Sequence, residues 1–301
     1  MTASARDMLV GLILPMTEHD DGGMRPYREM RELARHAEAV GLDSVWVCDH
    51  MLFRHPDSPT RGTWEAATLA AAVCEATSRA QVGTLVMCTA FRNPVLLAKT
   101  AVTLDEISDG RLVLGLGAGW HAPEMTALGL PTTELVSRFE ESAAITVALL
   151  REGHADFHGR HYSVDDCELR PRGPRPGAVP VLIGGEGPRL MGVAARLGDA
   201  WNTAWHKDAG RLDERLAAFA EQCRRTGRDR ATIDATVGLD VTRGTPDDAR
   251  STEDLLRTLA GLRSRGVRHV VCDLKPLTPD AVGWLADTVA QDRKSAVKED
   301  V

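Results

Sequence analysis

The chain has 301 residues, 43% of them apolar and 26% charged, with a formal net charge of −7. This is the composition of a globular protein with a sizeable core, and it excludes a general nucleic-acid or anionic-membrane binder, whose surface would be basic. No apolar run reaches membrane-spanning length, Met1 to Met8 lacks the apolar heart of a signal peptide, and the six cysteines show neither CxxC nor framework spacing, so the expectation is a cytoplasmic protein with reduced thiols.

Read in order, the chain alternates two periodicities. Met8 to Leu14 is an apolar run closed by Pro15, a first strand; Tyr27 to Val40 then carries Met30, Leu33, Ala34, Ala37 and Val40 at helical spacing before Gly41 stops it. Ser44 to Cys48 is a second strand ending at Asp49-His50, followed by a helix from Trp64 to Thr77 with Leu69, Ala72, Val73 and Ala76 inward. Gln81 to Cys88 and Pro94 to Ile107 form the third pair. Arg111 to Leu116, the run Gly117-Ala118-Gly119-Trp120 and a helix from Thr133 to Leu150 form the fourth. From Glu152 to Val179 the beat breaks into an alternating, hairpin-like piece and a Pro/Gly/Arg return, an insertion over about 152–179. It resumes with Pro180 to Ile183 and a helix to about Leu197, then Ala200 to Thr203 with Leu212 to Arg225. Ile233 to Val241 with Thr252 to Ser264, and Val267 to Leu274 with Asp280 to Ala290, complete the series. Residues 293–301 are charged and read as a frayed tail. Eight βα units predict one α/β domain over residues 1–301, a (β/α)8 TIM barrel with an insertion between strands 4 and 5. A doubly wound sheet would carry a nucleotide fingerprint after its first strand, and Pro15 to Gly23 has none.

A barrel places functional groups where its strands end. There the sequence offers Asp49 and His50, then Thr89 and Arg92, then Gly117 to Trp120, then Gly184 to Gly187, then Asn202-Thr203. Gly184-Gly185-Glu186-Gly187-Pro188-Arg189 follows a strand and opens a helix, an arrangement that points backbone N–H groups at an anion; Pro188 fits the first turn, where no N–H is needed. An ordinary tight βα loop has the same composition, and neither the Walker nor the dinucleotide pattern matches. His50 beside Asp49 is the one strand-end histidine–carboxylate pair, suited to proton transfer; the alternative is that Asp49 caps a loop or pairs with an arginine.

Several stretches together resemble the bacterial luciferase-like family of flavin and deazaflavin oxidoreductases. They are Trp46-Val47-Cys48-Asp49-His50, Gly83-Thr84-Leu85-Val86, Arg92-Asn93-Pro94 with Ala98-Lys99, and Gly115 to Trp120 with Glu124. Arg138-Phe139-Glu140-Glu141, Phe157-His158-Gly159 with His161-Tyr162, and Ile183-Gly184-Gly185 through Asp199-Ala200-Trp201-Asn202 follow in register. The resemblance implies a luciferase-like TIM barrel whose cofactor ring lies over a bulge in strand three, often with a non-prolyl cis peptide, here at Thr84, Leu85 and Val86. It implies a phosphate held by the loop from Gly184 to Pro188 through the amides of Gly185, Glu186 and Gly187, with Gly117, Ala118 and Gly119 facing the ring or its tail. Asp49 would touch the ring or orient His50, and His50 would give or take the proton.

The Asp49-His50 pair, the 184–189 loop and Asp199 to Asn202 resemble the deazaflavin branch, which uses coenzyme F420 for hydride transfer to or from a small organic molecule. An FMN-dependent monooxygenase with a partner reductase is the alternative within the family. A non-catalytic flavin-binding protein is the alternative outside enzymes, and a proton-transfer pair argues against it. A homodimer is implied by the resemblance alone. Trp120 stands where members that oxidise a sugar phosphate or secondary alcohol carry an acid. Trp120 and Glu124 are therefore the candidate substrate contacts, with Glu124, four residues on, expected to fall short and an apolar or aromatic substrate stacking on Trp120 as good a fit as a sugar phosphate.

Other clusters carry plainer expectations. His154, His158 and His161 with Asp156, Asp165 and Cys167 match no tetrahedral ligand spacing, so no metal is expected. Arg170, Arg172 and Arg175 read as a solvated loop, and Trp201 and Trp205 as rim packing.

Overall fold

Eight parallel strands close on themselves in the computed structural model, which describes residues 8–19, 21–203, 209–245 and 249–299. Trp205, residues 1–7 and the last two residues of the expected tail lie outside the described residues. The strands are β1 (Leu9–Ile13), β2 (Ser44–Val47), β3 (Gln81–Thr84, resumed at Met87–Cys88) and β4 (Leu112–Gly117). They continue with β5 (Val181–Gly184), β6 (Ala200–Thr203), β7 (Asp234–Thr242) and β8 (Val267–Lys275). Each pairs with the next, and Leu9 beside His269 joins the last strand to the first. Between them run α1 (Tyr27–Ala39), α2 (Ala66–Ala76), α3 (Pro94–Ile107), α4 (Leu135–Glu152), α5 (Pro188–Leu197), α6 (Ala209–Thr226) and α7 (Ala249–Ser264), with α8 (Pro279–Glu299) last. Among the described residues no helix is long and apolar enough to cross a membrane.

Local chemistry explains the helix starts. Asn93 accepts the N–H groups of Val95 and Leu96 with Pro94 in the first turn, and the Glu65 carboxylate does the same for Ala67 and Thr68. The buried face of α1 is the expected one, Met30, Leu33, Ala34 and Ala37. That of α2 turns further than expected: Ala66, Leu69, Ala70, Val73 and Cys74 are buried, while Ala72 and Ala76 are only half-buried.

The bulge that the resemblance implied in strand three is present: Gly83 pairs with Val113 but Met87 with Leu116, so four steps on β3 match three on β4, and the extra residue lies at Leu85–Val86, whose peptide is cis. It breaks the run from Gln81 to Cys88, expected as one strand, into two pieces. Two further expectations are corrected. The tail does not fray at 293. Helix α8 runs to Glu299, and Arg293 donates to the Asp43 carboxylate and the Met8 carbonyl, which ties the end of the chain to β1. The insertion's arginines are not simply solvated. Arg175 pairs with the fully buried Asp105 and the Leu112 carbonyl, and Arg172 donates to the carbonyls of Leu150, Arg151 and Glu152 at the end of α4, so they pin the return loop; only Arg170, paired with Glu168, faces water.

The insertion itself begins with the expected hairpin, His154–His158 against Ser163–Glu168. Its turn rests on α4: the Glu141 carboxylate accepts the N–H groups of Arg160, His161 and Tyr162 at 2.8–3.0 Å, so two of the resembling motifs are halves of one clamp.

Candidate functional site

The strand ends enclose a cleft of about 420 Å³, lined mostly by apolar side chains. Its floor is the bulge. Leu85 and Val86 face the cleft, and the glycines of β4 and β5 exist to let the bulge sit there: a Cβ on Gly115 would overlap the Thr84 carbonyl oxygen, one on Gly117 the Val86 side chain, and one on Gly184 would come within 3.0 Å of Val86 Cγ1. The sequence reading assigned such bare backbone to a bound group; at these positions it is occupied by the protein's own chain. Thr84 lies behind the floor, fully buried, its hydroxyl donating to the Gly115 carbonyl at 3.0 Å and accepting the Gly115 N–H at 2.8 Å. Ala118 and Gly119 line the wall, and Gly119 (φ +81°) leaves room for Met125 Cε and Cys88 Sγ.

One end of the cleft meets the 184–188 loop. Gly184, Gly185 and Glu186 line it. The Gly185 amide is committed to the Asn202 carbonyl at 3.2 Å, which removes one of the three donors expected for a phosphate. Gly187 caps α5 without a side-chain hydrogen bond, and a Cβ there would meet nothing within 4 Å, so the N-terminus of α5 opens on free space beside the cleft. Pro188 occupies the first turn and neither it nor Gly187 lines the cleft. The Glu186 carboxylate is held by the Thr203 hydroxyl at 2.8 Å and by Arg215 at 3.1 Å.

The other end holds the acid–base groups, and their partners differ from the expected ones. Asp49 does not orient His50. Its carboxylate, fully buried, accepts two bonds from Arg92 and the Cys88 N–H at 2.8 Å; Arg92 in turn reaches Glu65. Burial pushes the Asp49 carboxyl above its ordinary range, and Arg92 and the Cys88 amide oppose that push. The arginine alternative for Asp49 is the one realised.

His50 is paired with Glu124, which was expected to fall short. His50 Nδ1 lies 2.9 Å from Glu124 Oε2, while Glu124 Oε1 accepts the N–H groups of Met51 and of Leu52, the latter at 3.1 Å. Sequence distance misled because residues 122–127 form a one-and-a-half-turn helix that swings Glu124 inward, where its side chain is 1% exposed. Pro123 in the first turn with an acid beside it is the start signal that would have revealed this helix. Three donors converge on one carboxylate, an arrangement that assigns the donor role to Nδ1 of His50, and no hydrogen bond to Nε2 is found among the described residues.

Above His50 stands an aromatic wall that sequence reasoning glimpsed only at Trp120. The Phe53 ring lies 4.3 Å from the His50 ring and the Trp120 ring 5.6 Å from it at 75°, with His121 against both Phe53 and Trp120. Burial lowers the His121 pKa, and its Nε2 accepts the Arg54 N–H at 3.0 Å. Phe53 comes from a two-residue strand, Leu52–Phe53, paired with Arg61–Gly62 in a segment without periodic signal. Cys48 and Cys88 also line the cleft, and burial pushes both thiols up to about 12, so they serve as inert wall. Away from the cleft, Asp156, His158 and Asp165 gather on the exposed face of the insertion hairpin, Nε2 lying 3.3 and 3.6 Å from the two carboxylates, while His154 pairs with Asp166 instead. Trp201 is rim packing of a buried kind, stacked on Phe219 at 4.5 Å.

The fold and the cleft place the molecule among (β/α)8 barrels whose site lies at the C-terminal rim. More particularly, the chain belongs to the luciferase-like monooxygenase family, whose model matches residues 8–294. Among curated relatives, it is 37% identical over 179 residues to an F420-dependent glucose-6-phosphate dehydrogenase of Amycolatopsis mediterranei, a match covering 58% of this chain and 52% of that protein. It is 32% identical over 219 residues to a protein of the same description from Kineococcus radiotolerans, covering 70% and 63%. The chain thus matches between about half and two thirds of the length of these relatives. Among solved structures, an F420-dependent secondary alcohol dehydrogenase in complex with an F420-acetone adduct superposes with a TM-score of 0.77 at 19% identity, covering 94% of this chain and 98% of the other. The EDTA monooxygenase of Chelativorans sp. BNC1 superposes with 0.79 at 13% identity, covering 97% and 95%. At such identities these structures share the fold, and the fold accommodates both chemistries.

Proposed function

We propose that the protein is an oxidoreductase that binds coenzyme F420 in this cleft and moves a hydride to or from a small organic substrate, with His50 as the acid–base group. The observation that carries the reading is the His50–Glu124 pair: a histidine whose Nδ1 is fixed by a buried carboxylate presents a free Nε2 to an apolar cleft. A deazaflavin ring fits what the residues offer, a flat apolar floor at Leu85–Val86 and an uncapped helix N-terminus at Gly187 for the phosphate. The curated relatives, described as F420-dependent, support the coenzyme choice. Coenzyme F420, when bound, supplies two-electron hydride chemistry and no efficient oxygen activation.

The chain's own residues then have distinct tasks. Nε2 of His50 takes the proton of a substrate hydroxyl, or returns it to a carbonyl, and the Glu124 carboxylate holds the ring's tautomer and supports the positive charge that forms. Glu124 is thus a positioning residue and not a substrate contact. Asp49, locked by Arg92, keeps the end of β2 and the start of α3 in register around the floor. The apolar walls exclude water from the reacting centre.

Fluorescence titration of the coenzyme-free protein with coenzyme F420 and, separately, with FMN tests the reading. Saturable binding of the deazaflavin, and turnover lost in His50→Ala while binding persists, is the expected result. Binding of FMN alone would replace it with an oxygen-dependent monooxygenase served by a partner reductase. Binding of neither would remove the cofactor reading altogether. A homodimer is the expected assembly, checked by sedimentation.

A further inference from the structure

We propose that the substrate of this cleft is a neutral aromatic alcohol or carbonyl compound, its ring packed on Trp120 and Phe53, and not a phosphorylated sugar. The proposal rests on the oxidoreductase reading above.

The first support is charge. Three charged side chains line the cleft besides His50, and all are acids: Asp49, Glu124 and Glu186. No lysine or arginine lines it among the described residues. The guanidinium groups nearby are engaged behind it, Arg92 with Asp49 and Arg215 with Glu186. A phosphate monoester brings a charge of about −1.5 to −2 and needs cationic or N–H partners when it leaves water. The open helix-end amides at Gly187 are assigned to the coenzyme. A second anion would face carboxylates without a counter-ion.

The second support is the wall. Trp120 is 65% exposed although its ring lies 5.6 Å from His50, 6.4 Å from Phe53 and 5.1 Å from His121. A large ring left half in water at the edge of an apolar cleft, beside the acid–base group, is covered when a flat apolar ligand enters. Phe53 is tilted by 39° to both the His50 and the Trp120 rings, so these rings do not close face to face on one another, and a planar guest can meet them edge to face. Glu124 is largely committed elsewhere, because its two oxygens already serve three donors. The polar end of the guest is therefore its hydroxyl or carbonyl oxygen at His50 Nε2. In the oxidative direction the O–H and carbinol C–H bonds would break as a C=O bond forms: Nε2 of His50 would take the proton, and bound oxidised coenzyme would supply the acceptor for the hydride and its electron pair.

The test is calorimetric binding of three probes, 1-phenylethanol, 1-cyclohexylethanol and glucose 6-phosphate, to the full chain with and without bound coenzyme, for wild type, Trp120→Ala and Trp120→Phe. The expected pattern is saturable binding of 1-phenylethanol, several-fold weaker binding of its cyclohexyl counterpart, and no saturable binding of glucose 6-phosphate. Trp120→Ala should weaken the phenyl probe about tenfold and Trp120→Phe should restore most of it. Preference for glucose 6-phosphate, equal affinity for the phenyl and cyclohexyl probes, or indifference to Trp120→Ala would overturn the proposal. Failure of the coenzyme to bind strikes the cofactor reading instead, and the same Trp120 comparison in the coenzyme-free protein still decides the substrate class.

Discussion

His50 and His269 sit at opposite ends of the same barrel, one after the end of β2 and the other near the start of β8. His269 is buried, its Nε2 lies 2.7 Å from Ser44 Oγ, and the same hydroxyl accepts the Trp46 indole N–H at 2.7 Å. Trp46 fills the interior above it over Gly11 and Gly83, where a Cβ would collide with the indole. No charge enters this network, and burial drives the His269 pKa down to about 4. His50 instead leans on a carboxylate, with the other nitrogen turned to an open cleft. A neutral partner and a buried ring suit a histidine to the core; a charged partner and a nitrogen turned to the cleft are what the proposed acid–base role needs. Both residue type and strand-end position are readable in a sequence, whereas the partner is a matter of three-dimensional placement.

Substitutions that exchange these roles test the contrast. The largest effect is expected for His50→Ala, about a thousandfold loss of turnover with coenzyme affinity within a few-fold of wild type; steady-state kinetics beside a binding titration separates the two. If turnover survives, the open face is not where the proton moves. Next, the rim has a closed part of its own in the Arg92–Asp49 pair, and Arg92→Met should cost about 3 kcal/mol of stability by leaving a buried carboxylate alone, read as a lower urea midpoint.

At the His269 end of the barrel the effect is one of pH. The folded state keeps His269 neutral down to about 4, whereas the unfolded chain takes up a proton near the ordinary histidine value of 6.5. Between those values the unfolded state binds more protons, so stability falls as pH drops through the window, by about 3 kcal/mol in all, and the term is absent above it. His269→Gln should flatten this part of the stability profile between pH 7.5 and 4.5; identical slopes in the two proteins would refute the assignment. The smallest effect belongs to Glu124→Gln. Its amide oxygen can keep the Met51 and Leu52 N–H groups, but its NH2 then faces Nδ1, which moves the ring proton to Nε2 and silences the base. A loss of about a hundredfold in kcat with KM little changed is expected, together with an altered pH profile.

The barrel was legible because its signals are local. Apolar runs, helical spacing and glycine stops such as Gly41 are properties of consecutive residues, and the expected strands and helices are present, most with ends shifted by a few positions; the exceptions are the break in strand three and the last helix, which runs on from the expected Ala290 to Glu299. The site was legible only as a set of strand-end residues. Asp49, His50, Trp120 and the 184–187 loop were found by position, but the pairings were assigned by closeness in sequence, which gave His50 the wrong carboxylate. The true one arrives on a six-residue helix after a glycine turn, too short for any periodicity to show. Phe53 lay hidden for the same reason, in a two-residue strand. The ties of Arg175 to Asp105 and of Arg293 to Asp43 cross 70 and 250 residues and leave no local mark.

The seat of the bulge has a consequence for anyone reshaping this cleft. Val86 rests against Gly117 and Gly184, and the Thr84 carbonyl against Gly115, so the height of the floor is governed by three residues that have no side chain to trim. Any enlargement there pushes the floor into the cleft, and no substitution at those positions can lower it. The opposite wall is built the other way, from a large and largely solvent-exposed ring at Trp120, where side chains of many sizes can be tried without disturbing the barrel. Variation among descendants of this chain should therefore accumulate on the wall and be rare on the floor, reshaping one side of the cleft over an unchanged base.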